Sequence, residues 1–272
     1  MERAVLSSVF AKTLRERLRG FRWWCLVTLG FVAMYGSVYP SIKGKESLNK
    51  LLKDYPEALK NLVGFGGNLD IASGAGYLGS EVFSFWAPIV LLAVAISAGS
   101  AALAGEEERG TLDLLLSLPV SRTRCLLEKL AALLCEALAL ALVLWLLLVI
   151  VSSLDGMGVS AGHLAAAVLV ALLFALDFGI LALVIGAVSG RRAMAAGISA
   201  TLAVAADVIN ALAPMASWLD KVKIVSPFYY YSHGDPLRNG VNARDTLILL
   251  TIAVVFAAVG PFLFRRRDLT SA

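Results

Sequence analysis

The chain has 272 residues, 59% of them hydrophobic and only 16% charged, with a formal net charge of +4. A soluble domain carries about 45–50% apolar and about 25% charged residues, so this composition excludes an ordinary soluble enzyme. The basic residues form no stripe interleaved with aromatics, which excludes a nucleic-acid face.

The apolar residues come in blocks of roughly 20, the length that crosses a hydrocarbon layer of about 30 Å as a helix. In chain order, residues 1–22 predict an amphipathic helix. Val5, Val9, Phe10, Leu14 and Leu18 fall on one side, with Lys12, Arg15, Arg17 and Arg19 on the other. Such a helix lies in the inner headgroup layer. Spans are expected near 23–40, 82–104, 126–151, 164–188, 194–216 and 246–264. The fold class is therefore an all-α integral membrane protein, with one membrane domain over 1–272.

Two connections are long. In the first, Leu48, Leu51, Leu52, Tyr55, Leu59 and Leu62 share one apolar face, which predicts a helix lying flat on the outer leaflet and broken near Pro56. In the second, Phe228–Tyr231 sit between two prolines. That run reads as an aromatic interface belt, or as the lining of an outer gate. With both termini inside, fifteen Lys and Arg residues face the cytoplasm and nine face outward, the outer nine in long loops. That asymmetry favours cytoplasmic termini and a multi-pass topology.

Cys25, Cys125 and Cys135 make no CxxC pair and read as reduced, structural thiols. His163 and His233 are the only histidines and lie far apart, so no zinc ligand set is visible. No cleavable signal pattern precedes the first long apolar run near Trp23.

The stretch GEEERGTLDLLLSLPVSR, residues 105–122, stands out. It holds three consecutive glutamates and lies between two spans, on the expected cytoplasmic side. Gly105 suits a helix end, and Gly110 permits a sharp redirection of the backbone. Thr111 is a good N-cap for a short helix over about 112–118, and Pro119 stops that helix. Ser121 can cap the helix that runs into the next span. The short helix presents Leu112, Leu115, Leu116 and Leu118, with Asp113 and Ser117 opposite. One reading is an interfacial helix on the inner leaflet. The other is a docking element, whose leucines fill a groove on a soluble partner while the glutamates pair with the partner's basic residues. Three adjacent glutamates are repelled by an anionic membrane surface, which favours docking. A glutamate-based intramembrane metalloprotease needs histidines in the spans, and the expected spans contain none.

This stretch resembles the signature of the ABC type-2 exporter permeases, G-E-x-x-x-G-T-L-x-x-L-L-x-x-P-V-S-R. Gly105, Glu106, Gly110, Thr111, Leu112, Leu115, Leu116, Pro119, Val120, Ser121 and Arg122 match it. The layout agrees: an N-terminal elbow helix, six spans, and an SPFYY…DPL…G stretch at Ser226–Tyr230, Asp235–Leu237 and Gly240. The resemblance implies a permease subunit of an ATP-driven exporter working by alternating access in a prokaryotic plasma membrane. It implies that two such halves pair, a homodimer by default, and that each docks a separate ATP-binding-cassette ATPase. The short helix would be the coupling helix. Glu106, Glu107, Arg109, Gly110, Thr111, Leu112, Leu115, Leu116, Pro119 and Arg122 would form the coupling site. No GxxxxGK[ST] loop is present, so no cofactor is expected in this chain, and ATP and Mg belong to the partner ATPase.

Asp177 and Asp207 lie about 11 and about 13 residues from the inner ends of their spans, near the bilayer centre at about 1.5 Å per residue. A charge there costs at least ~2.5–3.5 kcal/mol and normally faces an interior or a wet cavity. Asp207, with Asn210 one turn on, is a candidate for lining a translocation path, supported by Asp177. The alternative for each acid is an interhelical tie. The resemblance implies that spans two and five line the cavity, which favours Asp207. Glu136, nearer the inner surface, is expected to pair with a neighbouring helix rather than to act in transport. An ion-coupled carrier or channel using the two acids is the rival function, but it leaves the charged segment without a purpose.

Overall fold

The computed structural model describes residues 8–45, 70–112, 115, 120–213 and 221–267. Every described element is helical, and six helices are long and apolar enough to cross a membrane. They are α1 (Val9–Ile42), α2 (Gly74–Ala102), α4 (Arg122–Leu154), α5 (Ala161–Ser189), α6 (Arg192–Leu212) and α9 (Ala243–Arg266). Between them lie the short helices α3 (Ala104–Glu108), α7 (Pro227–His233) and α8 (Pro236–Asn239).

The caps follow the local chemistry. Ser8, Ser121 and Ser160 accept hydrogen bonds from backbone amides three residues on, at 3.2 Å each, and so open α1, α4 and α5. Asn242 does the same for α9. At the other end of α5, Gly190 adopts φ +67°, the left-handed stop that an L side chain resists.

Two boundaries differ from expectation. The expected elbow over 1–22 and span over 23–40 meet without a break, because α1 runs as one helix of 34 residues, about 51 Å long. Only Gly20 interrupts the helix-forming residues near that junction, at a cost of about 1 kcal/mol, too little to end a helix. The basic half of α1 also finds partners along α4. The Phe10 amide bonds Glu128 at 3.1 Å, and Arg17 pairs with the buried Glu136. Residues 1–7 lie outside the described residues. The second difference is that α2 begins at Gly74, eight residues before the expected 82, and contains a π-helical stretch over Leu78–Trp86. Pro88 has no amide to donate, and the wider turns end just before it.

α5 is the central helix and is buried along most of its length. Its closest neighbour is α2, where small residues let the backbones touch. A Cβ on Gly99 would sit 2.0 Å from the Gly179 carbonyl oxygen, and one on Gly179 would sit 2.7 Å from the Ala95 Cβ. Membrane helices use small residues in this way because lipid gives them no hydrophobic incentive to associate. α9 also packs on α5, and α1 on α4.

The aromatic run Phe228–Tyr231 is neither a belt nor an open lining throughout. Phe228 and Tyr231 pack on Phe174 of α5, with ring centroids 5.4 and 5.1 Å away. Tyr231 donates its hydroxyl to the Phe83 carbonyl, and Tyr230 donates to Ile224 at 2.7 Å. Pro227 starts a short helix that turns half of the run inward, where each hydroxyl finds a backbone acceptor. The expected flat helix after Lys45 lies outside the described residues.

Candidate functional site

The charged segment sits at the end of the bundle where α1 begins and α9 ends. A break at Leu103, with φ −113°, separates α2 from α3. α3 carries Glu106, Glu107 and Glu108 in consecutive positions. Successive helical residues project about 100° apart, so the three carboxylates leave the backbone in different directions. Each reaches a different part of the bundle.

Glu106 points inward and is only 2% exposed. Lys129 of α4, also 2% exposed, donates to its Oε1 at 2.8 Å. Thr111 donates its hydroxyl to Oε2 at 2.5 Å. Lys12 of α1 lies 3.7 Å away and Arg109 3.6 Å. Burial opposes ionisation of Glu106, but the hydrogen bonds from Lys129 and Thr111 and the charges of Lys129 and Lys12 outweigh it. The carboxyl is held down to about 2.

Glu107 reaches the far end of the chain. Arg267, just past α9, binds it through Nη2–Oε1 at 2.5 Å and Nη1–Oε2 at 2.8 Å, the two-pronged geometry that suits guanidinium and carboxylate. Arg267 Nη1 also donates to the Ala187 carbonyl of α5 at 3.1 Å. Arg122, at the other end of the segment, donates to the Arg267 carbonyl at 2.8 Å. The segment thus holds Arg267 at both of its ends. Glu108 accepts from the Arg192 amide at 2.8 Å, placing a carboxylate at the positive N-terminus of α6. Through three side chains, α3 is tied to α1, α4 and α6 and, by way of Arg267, to α5 and the end of α9.

The turn chemistry of the segment agrees with the sequence. Gly110 has φ +67°, and the Thr111 carbonyl accepts from the Leu115 amide at 3.1 Å, as an N-cap carbonyl does. Its hydroxyl goes to Glu106 instead of capping. Leu116 and Pro119, and with them most of the expected helix over 112–118, lie outside the described residues.

Two expectations change. Leu112 and Leu115 are 3% and 5% exposed and belong to this chain's own core. They are not an apolar face offered to a partner. Glu106 and Glu107 are likewise satisfied within the chain. Among the described residues of the segment, Glu108, Arg109, Gly110 and Ser121 are exposed. A 3.6-residue pattern identifies which side of a helix is apolar, but it cannot say whether the apolar side faces its own fold or another molecule.

The two mid-membrane acids are placed apart. Asp177 is 1% exposed in α5, and among the described residues neither of its carboxylate oxygens has a hydrogen-bond partner. Asp207 lies on the exposed side of α6. One turn on, Asn210 donates to Ser232 at 3.2 Å, tying α6 to α7. Glu136 pairs with Arg17, as expected of it. Among the described residues, no three His, Cys, Asp or Glu side chains cluster to hold a metal ion.

The residues missed by sequence reasoning are Lys12, Lys129, Gly190 and Arg267. Lys129 and Arg267 entered only as contributions to a charge count. Their partners lie 23 and 160 residues away, a range at which no local pattern operates.

A family model described as ABC-2 family transporter protein matches residues 7–269. No curated protein matches the chain.

Proposed function

The chain belongs to the ABC-2 transporter family, and from that premise we propose that it is the permease subunit of an ATP-driven exporter. A separate ATP-binding-cassette subunit binds ATP and Mg, docks at residues 105–122 and drives alternating access. A second copy of this chain completes the pathway. The charged end is cytoplasmic, in keeping with its share of Lys and Arg, and the membrane is the plasma membrane of a prokaryote.

One observation carries the coupling role: the three consecutive glutamates, each bonded to a different part of the bundle. A displacement applied to the segment is delivered to five spans at once, whereas a loop with a single attachment would absorb it. Coupling of this kind needs an element with two discrete arrangements. A short helix bounded by the Leu103 break and the Gly110 turn is suited to move as a unit.

Docking then falls to the exposed Glu108, Arg109 and Gly110, together with the remainder of the segment including Leu116 and Pro119. Leu112, Leu115, Glu106, Glu107, Thr111 and Arg122 act behind them as transmission. In this reading Asp207, exposed on α6, and Asn210 one turn on line the path. Asp177 is enclosed and has a supporting role at most.

The test is transport by the full chain co-expressed with its cassette ATPase, in inside-out vesicles, against a panel of lipids, hydrophobic drugs and peptides. ATP-dependent accumulation that disappears with an ATPase-dead partner is the expected result. Flux driven by an ion gradient without ATP would transfer the function to the rival carrier class.

A further inference from the structure

A cavity of about 270 Å³ lies at the charged end, walled by α1, α2, α3, α4 and the start of α6. One molecule of liquid water occupies about 30 Å³, so the space exceeds what a bridging water needs. It falls just below the ~300 Å³ at which small-molecule sites begin, a size suited to a compact polar group.

Its depth follows from helix length. Counting about 20 residues back from Leu154 and from Ile42 places the near edge of the hydrocarbon layer close to residues 135 and 23. The cavity is lined by Thr13, Glu16 and Arg17 on the headgroup side of that edge, and by Trp24 and Leu133 beside it. Ala98 and Ala101 of α2 supply an apolar wall.

The lining contains four cations, Arg17, Arg109, Lys129 and Arg192, against the carboxylates Glu16, Glu106 and Glu136. Arg17 and Lys129 are committed to Glu136 and Glu106, and Glu16 pairs with Lys12 at 3.6 Å. Arg109 touches Glu106 only at 3.6 Å, with its side chain 57% exposed. Among the described residues the Arg192 guanidinium makes no ion pair, since its contact with Glu108 uses the backbone amide. Two under-used guanidinium groups therefore border a polar cavity at headgroup depth with an apolar wall.

We propose that this cavity binds the phosphate of a phospholipid from the leaflet that meets this end of the bundle, with Arg109 and Arg192 as its ligands. Guanidinium groups match phosphate oxygens in pairs. The apolar wall and the depth favour a lipid over a free anion. The site needs no ATPase partner, so its failure and the failure of the exporter reading are separate outcomes.

The experiment uses the purified full-length chain in detergent, titrated with phosphatidylglycerol, diacylglycerol or inorganic phosphate, and read by native mass spectrometry and thermal melting. The expected result is saturable retention of one phosphatidylglycerol per chain, with no comparable effect of the other two. Arg192→Gln, which removes no ion pair among the described residues, weakens binding about ten-fold, the worth of one charge-assisted hydrogen bond. Arg109→Gln combined with it weakens binding further, and Ala101→Phe blocks the cavity. Equal retention of diacylglycerol, equal protection by inorganic phosphate, or unchanged binding by Arg192→Gln and Ala101→Phe would each overturn the assignment.

Discussion

Glu107 and Arg267 stand 160 residues apart in the sequence and are joined by hydrogen bonds of 2.5 and 2.8 Å, directly over the backbone of Gly190. A Cβ on Gly190 would lie 2.5 Å from Arg267 Nη2 and 2.6 Å from Glu107 Oε1, at a φ of +67°. Gly190 thus serves as the turn that ends α5 and as the floor of the pair that ties α3 to α9.

Gly190→Ala is accordingly expected to lower stability by at least the ~1–2 kcal/mol that a left-handed conformation costs an L residue, with displacement of the ion pair added. Thermal melting in a fixed detergent checks this. A variant that melts with the wild type would show that the pair does not rest on Gly190.

Glu106 and Lys129 form a buried pair in which removing one member strands the other. Glu106→Gln should cost about 3–5 kcal/mol at neutral pH, because Lys129, at 2% exposure, loses its carboxylate partner. The double variant Glu106→Gln, Lys129→Met should recover much of that loss. The pH dependence has a definite sign. The Glu106 carboxyl is held at about 2, against an ordinary 4.5. Its contribution is therefore complete above pH 4.5 and fades as the pH falls from there towards 2. The stability gap between wild type and Glu106→Gln should close in that window, as denaturant unfolding at pH 7 and pH 3 can show. An equal gap at both values would contradict the pair.

Among the described residues, Asp177 has no hydrogen-bond partner for either carboxylate oxygen. Leaving a buried polar group unsatisfied costs about 1–3 kcal/mol. Asp177→Asn, which carries no charge, should be at least as stable as the wild type. A marked drop in melting temperature would reveal a partner for the carboxylate.

Asp207 differs in being exposed on α6. If it lines the path, Asp207→Asn and Asp207→Ala should depress vesicle transport several-fold at normal expression, with little change in melting. Full activity in both variants removes Asp207 from the path.

Much of this molecule is legible from residue order because the bilayer imposes a strict length rule. Each expected span corresponds to a helix of the structure, displaced at its ends by a few residues in most cases and by more at α1 and α2. Turn chemistry was equally readable at Gly110 and Ser121, where one residue decides the backbone. The continuity of α1 was not, since an amphipathic helix and a span share the same period and only Gly20 lies at the join. The roles of Leu112, Leu115 and the glutamates were hidden for a different reason. Local pattern predicts which side of a helix is apolar or charged, while Lys129, Arg192 and Arg267, which decide what that side meets, arrive from distant parts of the chain.

The proposed coupling role depends most directly on where the ATPase docks. A photo-activatable residue at Arg109, in the full chain co-expressed with its cassette ATPase, should cross-link that ATPase. The same residue at Leu154, 80% exposed at the opposite end of α4, should not. Absence of the ATPase from the Arg109 product, or its capture from Leu154, would contradict both the docking surface and the orientation of the bundle.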